Sequence, residues 1–244
     1  MIGLLTSNFA LYHDVVHELK KRDLPFISLA FNDEIPPDVD VIITSEEESK
    51  KIDFDKVVTW KKGRRIENLV DKALMLSKSE EMEIIFGIDP GDNIGIAIFG
   101  NKKLIRSLLA TSPEQASNFI KEYIEDIGVD EVIIKIGNGA RLIRNRIINY
   151  LINEKVKMEI VDESMIPRMD DDEMAASTIA MADGKEVKNE FSIEPKEGEI
   201  REMQRLSRIK SKNITISKEL ARKVLKGEIC LDDAIEMQRN KNQE

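Results

Sequence analysis

"FGIDPGDNIGIAIFG", residues 86–100, sets a lone aspartate, Asp89, at the mouth of an apolar run, follows it with Pro-Gly-Asp-Asn and resumes a second apolar run. The turn residues make the two runs adjacent strands. Outward from this hairpin, "EIIFGID" (83–89), "IGIAIFG" (94–100) and, beyond the turn at Gly100 and Asn101, "KKLIRSLLA" (102–110) read as three consecutive antiparallel strands. A helix follows over 112–128, with Ser112 as N-cap, Pro113 at the first helical position, Gln115 at the third and Gly128 at the end. Strand "EVIIKIG" (131–137), helix "ARLIRNRIINYLINE" (140–154), strand "KMEIVDE" (157–163) and helix "DDEMAASTIAMA" (171–182) complete the order βββαβαβα, a mixed sheet with helices.

Three segments are expected. Residues 1–78 alternate strands and helices and so read as a small parallel α/β domain, with Ser45 and Glu48 spaced as a capping box after "VIIT". There is no G-x-G-x-x-G, so a dinucleotide site has no support. The polar stretch "SKSEEME" (77–83) leads into the βββαβαβα domain at 83–184. Residues 185–244 open on a linker-like stretch and continue as a tail of two or three helices.

The chain has 244 residues, 41% hydrophobic and 34% charged, and a net charge of -9. That balance excludes global disorder and any non-specific coating of nucleic acid, leaving nucleic-acid contact to local basic patches. A single Cys230 excludes an intramolecular disulfide and a cysteine metal cluster. With no signal-like start and no apolar stretch of spanning length, a cytoplasmic protein without membrane contact is expected. His13 and His17 lack the zincin pattern, so a zinc site on that helix is not supported.

Acidic residues sit at strand and helix ends across the second domain: Asp89, then Asp162 and Glu163, then Asp172. Folded together, such carboxylates suit hard cations, and two of these about 3.5–4 Å apart activate water and stabilise in-line phosphoryl transfer. Gly91 and Gly95, without a Cβ, would let a phosphate backbone approach. "GIDPGDNIGIAI" resembles the first hairpin of the RuvC/YqgF branch of the ribonuclease H-like superfamily. "IGNGAR" (136–141) resembles the glycine turn of that branch, including the YqgF-like domain of Tex-type proteins, and "VDES" and "DDEMAAS" resemble its later acidic elements. The resemblance covers residues 83–184 and implies a ribonuclease H-like core. With it come Mg²⁺ or Mn²⁺ at Asp89, Asp162, Glu163 and Asp172, and nucleic acid near Gly91 and Asn138. Where the RuvC type supplies a fourth-strand glutamate, this chain has Lys135 and Asn138. Strand alternation leaves open which face Lys135 takes.

Two functional readings follow. One is a metal-dependent endonuclease acting on structured or branched DNA or RNA; the other is a catalytically inactive module that binds RNA or a protein partner. Arg141 and Arg144, after the glycine turn, are candidate phosphate contacts. So are Arg201, Arg205 and Arg208, which share a helix face with Lys212, opposite Ile200, Met203, Leu206 and Ile209. "WKKGRR" (60–65) reads either as a surface loop or as Trp60 stacking on a base among four cations. The helical tail offers a surface for a second copy or another protein.

Overall fold

The computed structural model describes residues 1–78, 82–129, 131–165 and 171–241. Residues 79–81 of the polar stretch between the first two units lie outside them. The first unit holds strands β1 (Ile2–Leu5), β2 (Phe26–Leu29), β3 (Val41–Ser45) and β4 (Val57–Trp60), all parallel, in the order β2-β1-β3-β4. Helices α1 (Phe9–Lys21) and α2 (Ile66–Leu76) cover one face, closing a core of Leu4, Val41, Ile43 and Val58 with Leu11, Val15, Leu19 and Val70. Leu5 and Ile42, on the other face, meet residues of irregular segments such as Ile35, Ile52 and Phe54.

Half of the capping box forms, with the Glu48 N–H donating to Ser45 Oγ at 3.3 Å, but no α-helix follows; a single 3₁₀ turn, Ser49–Lys51, stands there. The reason lies in where Glu48 spends its oxygens. Its carboxylate accepts from the hydroxyls of Thr6, Ser7 and Ser45 and from the Ser7 N–H, and these bonds hold it down to about 2 against the burial that opposes them. The side chain closes the crevice at the strand ends and does not reach back along a helix.

The second unit contains β5 (Glu83–Asp89), β6 (Ile94–Gly100), β7 (Lys103–Ala110), α3 (Pro113–Ile127), β8 (Glu131–Gly137), α4 (Arg141–Leu151), β9 (Lys157–Val161) and α5 (Asp172–Met181). β5, β6 and β7 run antiparallel, while β8 joins β5 in parallel and β9 joins β8 in parallel. The strand order β9-β8-β5-β6-β7, with these senses, is the ribonuclease H-like mixed sheet. Outside the expected elements, β10 (Gly184–Glu186) pairs antiparallel with β9 and extends the sheet by one edge strand, in what reads from sequence as linker. Ser112 Oγ accepts the Gln115 N–H, and Gly128 adopts φ +66° in the left-handed region that ends α3.

Alternation divides the sheet. Phe86, Ile88, Ile96, Ile134 and Ile136 point to α3 and α4 and form the main core, where Phe86 meets Tyr123 edge-on. Ile85, Ala97 and Phe99 point to α5. Here α5 lies on the strands almost without intervening side chains. A Cβ at Gly87 would stand 2.0 Å from the Ala176 carbonyl oxygen, and one at Gly95 would stand 2.0 Å from the Asp172 carbonyl oxygen. The space foreseen at Gly95 for a phosphate is therefore taken by the head of α5.

The third unit is a bundle of α6 (Glu197–Ser211), α7 (Lys218–Lys226) and α8 (Leu231–Lys241) around Ile200, Ile216, Leu220, Ala221, Ala234 and Ile235. Helix α6 is rotated from the sequence expectation: Ile200 and Ser207 are buried, while Leu206 and Ile209 are exposed. The Ser207 hydroxyl earns that place by bonding the carbonyls of Gln204 and Ile214 and accepting the Ile216 N–H.

A buried charge group ties the first unit to the second. Asp71 of α2, fully buried, meets Arg22 at 2.5 Å and Arg106 of β7 at 3.0 Å. Burial pushes its carboxyl up despite both guanidinium groups. Asn68 bridges Arg106 (2.7 Å) and Asp126 of α3 (2.7 Å), and Arg106 also lies over the Phe119 and Tyr123 rings. Removing one partner from such a group leaves a buried charge uncompensated.

Gly87→Ala and Gly95→Ala each force backbone apart and are expected to cost about 1–3 kcal/mol or more. Gly198→Ala, where nothing lies within 4 Å of the added methyl, is the control, expected to stabilise by ~0.5 kcal/mol. Denaturant midpoints check the contrast, and equal effects at all three positions would contradict the close-approach account.

Candidate functional site

The strand register delivers the acidic residues to one edge of the sheet. Asp89 ends β5, opposite Gly95 of β6; Ile88 pairs with Ile136 of β8, and Gly137 pairs with Val161 of β9. The ends of β5, β8 and β9 therefore open side by side. Since the Asp172 backbone rests on Gly95, the head of α5 arrives beside Asp89. Asp171 caps α5 through its bond from the Met174 N–H (2.8 Å), and the same first turn is anchored where Ser107 Oγ–H donates to Glu173.

Asp89 is half-buried, and its carboxyl is pushed up to about 6, first by burial and then by the negative charges of Glu163 and Asp172. Three carboxylates from three elements thus share one electrostatic neighbourhood. Glu163 folds over the glycine turn: its Oε1 accepts the Gly139 N–H at 2.8 Å and stands 2.1 Å from where a Gly137 Cβ would be. Any side chain at 137 would fill the volume that Glu163 uses. The space beside the end of β8 is thus taken by an acid from just beyond β9.

Asp162 turns away from this group. It is exposed, accepts from the Ser164 N–H (3.0 Å) and Asn138 Nδ2 (3.2 Å), and is held low by Ser164 and Asn138, with Lys185 adding a smaller effect. Asn138 closes the turn by accepting the Glu163 N–H at 3.4 Å. Gly91 lies in the hairpin turn beside the site. Lys135 shares the sheet face of Gly87 and Gly137, the α5 side, yet its ammonium donates to the Ala182 carbonyl at 2.6 Å, at the far end of α5 from Asp172. It caps a helix end and leaves the acidic edge alone.

The arginines of α4 are engaged within the chain. Arg141 binds Glu199 through Nε and Nη2 (2.9 and 2.8 Å) and the carbonyls of Ser192 and Glu194, fastening the segment that leads into the bundle. Arg144 donates to the Asn138 carbonyl (2.8 Å) and to Asn145 Oδ1, buttressing the glycine turn from behind. Burial and the neighbouring Arg141 push it down. On α6, Arg205 pairs with Glu202 at 2.6 Å, whereas exposed Arg201 and Arg208 make no ion pair among the described residues.

Hard carboxylate oxygens on three elements are the donor type that Mg²⁺ or Mn²⁺ takes. Among the described residues, no three His, Cys, Asp or Glu side chains converge closely enough to hold an ion as they stand. Neither Gly137 nor Gly139 stands out as a site residue from sequence alone; the signal was the "GNG" spacing ahead of an acid able to reach its amides.

Residues 1–76 match the family model described as a response regulator receiver-like domain, and residues 196–241 match a three helical bundle domain. No curated protein matches the chain. Among solved structures, Marinitoga piezophila Argonaute with a 5′ OH guide RNA and target DNA is similar at 15% identity and a TM-score of 0.27, covering 66% of this chain and 39% of that one. The same protein with guide RNA alone gives 13% identity, a TM-score of 0.24 and the same coverage. The chain thus spans well under half the length of the Argonaute it matches. Strand order and strand sense, not this likeness, make the second unit ribonuclease H-like. No helix among the described residues is long and apolar enough to cross a membrane.

The native state, with Asp89 at about 6 against an ordinary 3.8, binds a proton that the unfolded chain releases. Stability attached to this group is therefore full below about pH 4 and is lost as pH rises through about 6. Asp89→Asn is expected to raise unfolding free energy at pH 8 by on the order of 1 kcal/mol after solvent screening, with the gain gone by about pH 4. Urea titrations at the two pH values measure it; a pH-independent gain would assign the effect to packing.

Proposed function

We propose that the second unit is a ribonuclease H-like module of the RuvC/YqgF type that binds structured or branched nucleic acid and hydrolyses phosphodiesters with Mg²⁺ or Mn²⁺. The observation that carries this reading is the placement of Glu163 and Asp172 close enough to half-buried Asp89, at one sheet edge, for their charges to act on it. These three would hold the metal, with Asp162 at the rim. Bound there, a divalent ion supplies charge neutralisation for phosphoryl transfer and a lowered pKa for a coordinated water. The chain's own residues position the acids: the Gly139 amide fixes Glu163, the Gly95 seam fixes Asp172, and Asn138 fixes the strand end carrying Asp162 and Glu163. Arg201 and Arg208, exposed on α6, are available to phosphate, while Arg141 and Arg144 support the site through the turn and the linker.

A second reading, a catalytically silent module binding RNA or a protein, is favoured by the lack of a converged three-ligand cluster among the described residues. Parent protein, Asp89→Asn and Glu163→Gln, incubated with junction DNA, duplex DNA and structured RNA in Mn²⁺ or EDTA, separate the two. The nuclease reading expects metal-dependent cleavage reduced at least about 100-fold in both variants, a loss beyond what outer-shell changes cost at metal sites. It also expects Mn²⁺ at 100-fold its dissociation constant to stabilise the parent by about 2.7 kcal/mol and the variants far less. Nucleic-acid binding untouched by metal and by both substitutions would establish the silent module.

A further inference from the structure

A second cleft lies far from the carboxylate edge. It is walled by Trp60 at the end of β4, by Lys61, Arg64 and Arg65 from the loop after it, by Lys72 of α2, and by Glu125 and Asp126 at the end of α3, and encloses about 330 Å³. Gly128, which borders it, precedes β8, and the acidic edge follows β8, so about 20 Å of strand separates the two.

The charges in the cleft do not balance internally. Glu125 and Asp126 are both taken by Arg64, at 3.2 and 2.8 Å, and Asp126 also accepts from Asn68. Lys61 reaches Glu46 only at 3.4 Å and Arg65 reaches Glu67 only at 3.8 Å. Lys72 is half-buried, and no hydrogen-bond or ion-pair partner for it stands among the described residues. Burial, with Lys61 adding to it, pushes its ammonium down. In a chain of net charge -9, a cleft lined by the four cations Lys61, Arg64, Arg65 and Lys72 against the two carboxylates Glu125 and Asp126 is a local reversal of sign. A half-buried cation without a counter-charge is costly, and an entering anion relieves it.

Trp60 supplies the other half of a recognition surface. Its indole N–H donates to the Arg64 carbonyl at 3.1 Å, which fixes the ring at the wall of the cleft. We infer that this cleft binds a nucleotide unit, its phosphate among Lys61, Arg65 and Lys72 and its base against the Trp60 ring. Base–aromatic stacking beside cations is the chemistry of single-strand recognition, and a free nucleotide offers the same groups. This site stands apart from the carboxylate edge and does not depend on cleavage.

Trp60 is the chain's one tryptophan, so its fluorescence reports on the cleft directly. The full chain is titrated with adenosine monophosphate, a short single-stranded oligonucleotide and inorganic phosphate, without divalent metal. Saturable quenching by the nucleotide or the oligonucleotide is expected, with phosphate competing but quenching little; which of the two binds tighter identifies the source. Lys72→Gln and Arg65→Gln, with folding checked by circular dichroism, are each expected to weaken binding about tenfold, equivalent to about 1.4 kcal/mol. Absence of saturable quenching at millimolar ligand would overturn the assignment. So would unchanged affinity in both folded variants, or quenching by phosphate equal to that by the nucleotide.

Discussion

The arrangement of the second unit depends on a seam where a helix touches a sheet backbone to backbone. Gly87 and Gly95 offer no Cβ, Ala176 and Ala180 offer only methyls, and α5 settles onto β5 and β6 at a distance that larger side chains would forbid. Helix position and acid position are therefore one problem. With the Asp172 carbonyl against Gly95, and Gly95 opposite Asp89, those two acids have little freedom to separate. The same device recurs at the end of β8, where the missing Gly137 side chain makes room for Glu163. What is absent from these strands decides where the charges go.

A different principle joins the units. Asp71 is enclosed, and burial alone would favour its neutral form; Arg22 of its own unit and Arg106 of the next oppose that. Arg106 is in turn sandwiched against Phe119 and Tyr123 and bonded to Asn68. Such a group contributes modest net stability, because desolvation offsets much of the attraction, but losing one partner leaves a buried charge uncompensated. The first unit is thus joined to the second both by this charge group and by Met75 of α2, which is buried in the second unit's main core.

Much of the fold was legible in the sequence because its signals are local. The Pro-Gly-Asp-Asn turn, the Ser112 cap and the left-handed Gly128 all act within a few residues, and the strand order follows once three antiparallel strands precede an alternation of helix and strand. Other features were not legible because tertiary partners set them. Ser45 and Glu48 have capping-box spacing, yet Thr6 and Ser7, some forty residues away, claim the carboxylate. β10 consists of three residues whose pairing β9 alone provides. In the candidate site, sequence supplied the acids but not their directions: Asp162 and Glu163 are adjacent, and past the end of β9, where Glu163 opens a 3₁₀ turn, one bonds Asn138 and the other the Gly139 amide. Arg141 and Arg144 read as free cations because Glu199 and the Asn138 carbonyl are invisible partners until the chain is folded.

Helix α4 has one further property. Arg141 holds the segment entering the bundle, Arg144 holds the glycine turn, and Arg146 pairs with Glu114 of α3 while its guanidinium lies where a Gly227 side chain would be, at the end of α7. Three successive attachments on one short rod make it a lever common to the bundle, the main core and the loop that carries the Gly139 amide. The bundle, the main core and the turn that presents the Gly139 amide to Glu163 are therefore all tied to the same three turns of helix, and the tail is not an appendage hung beside the pocket.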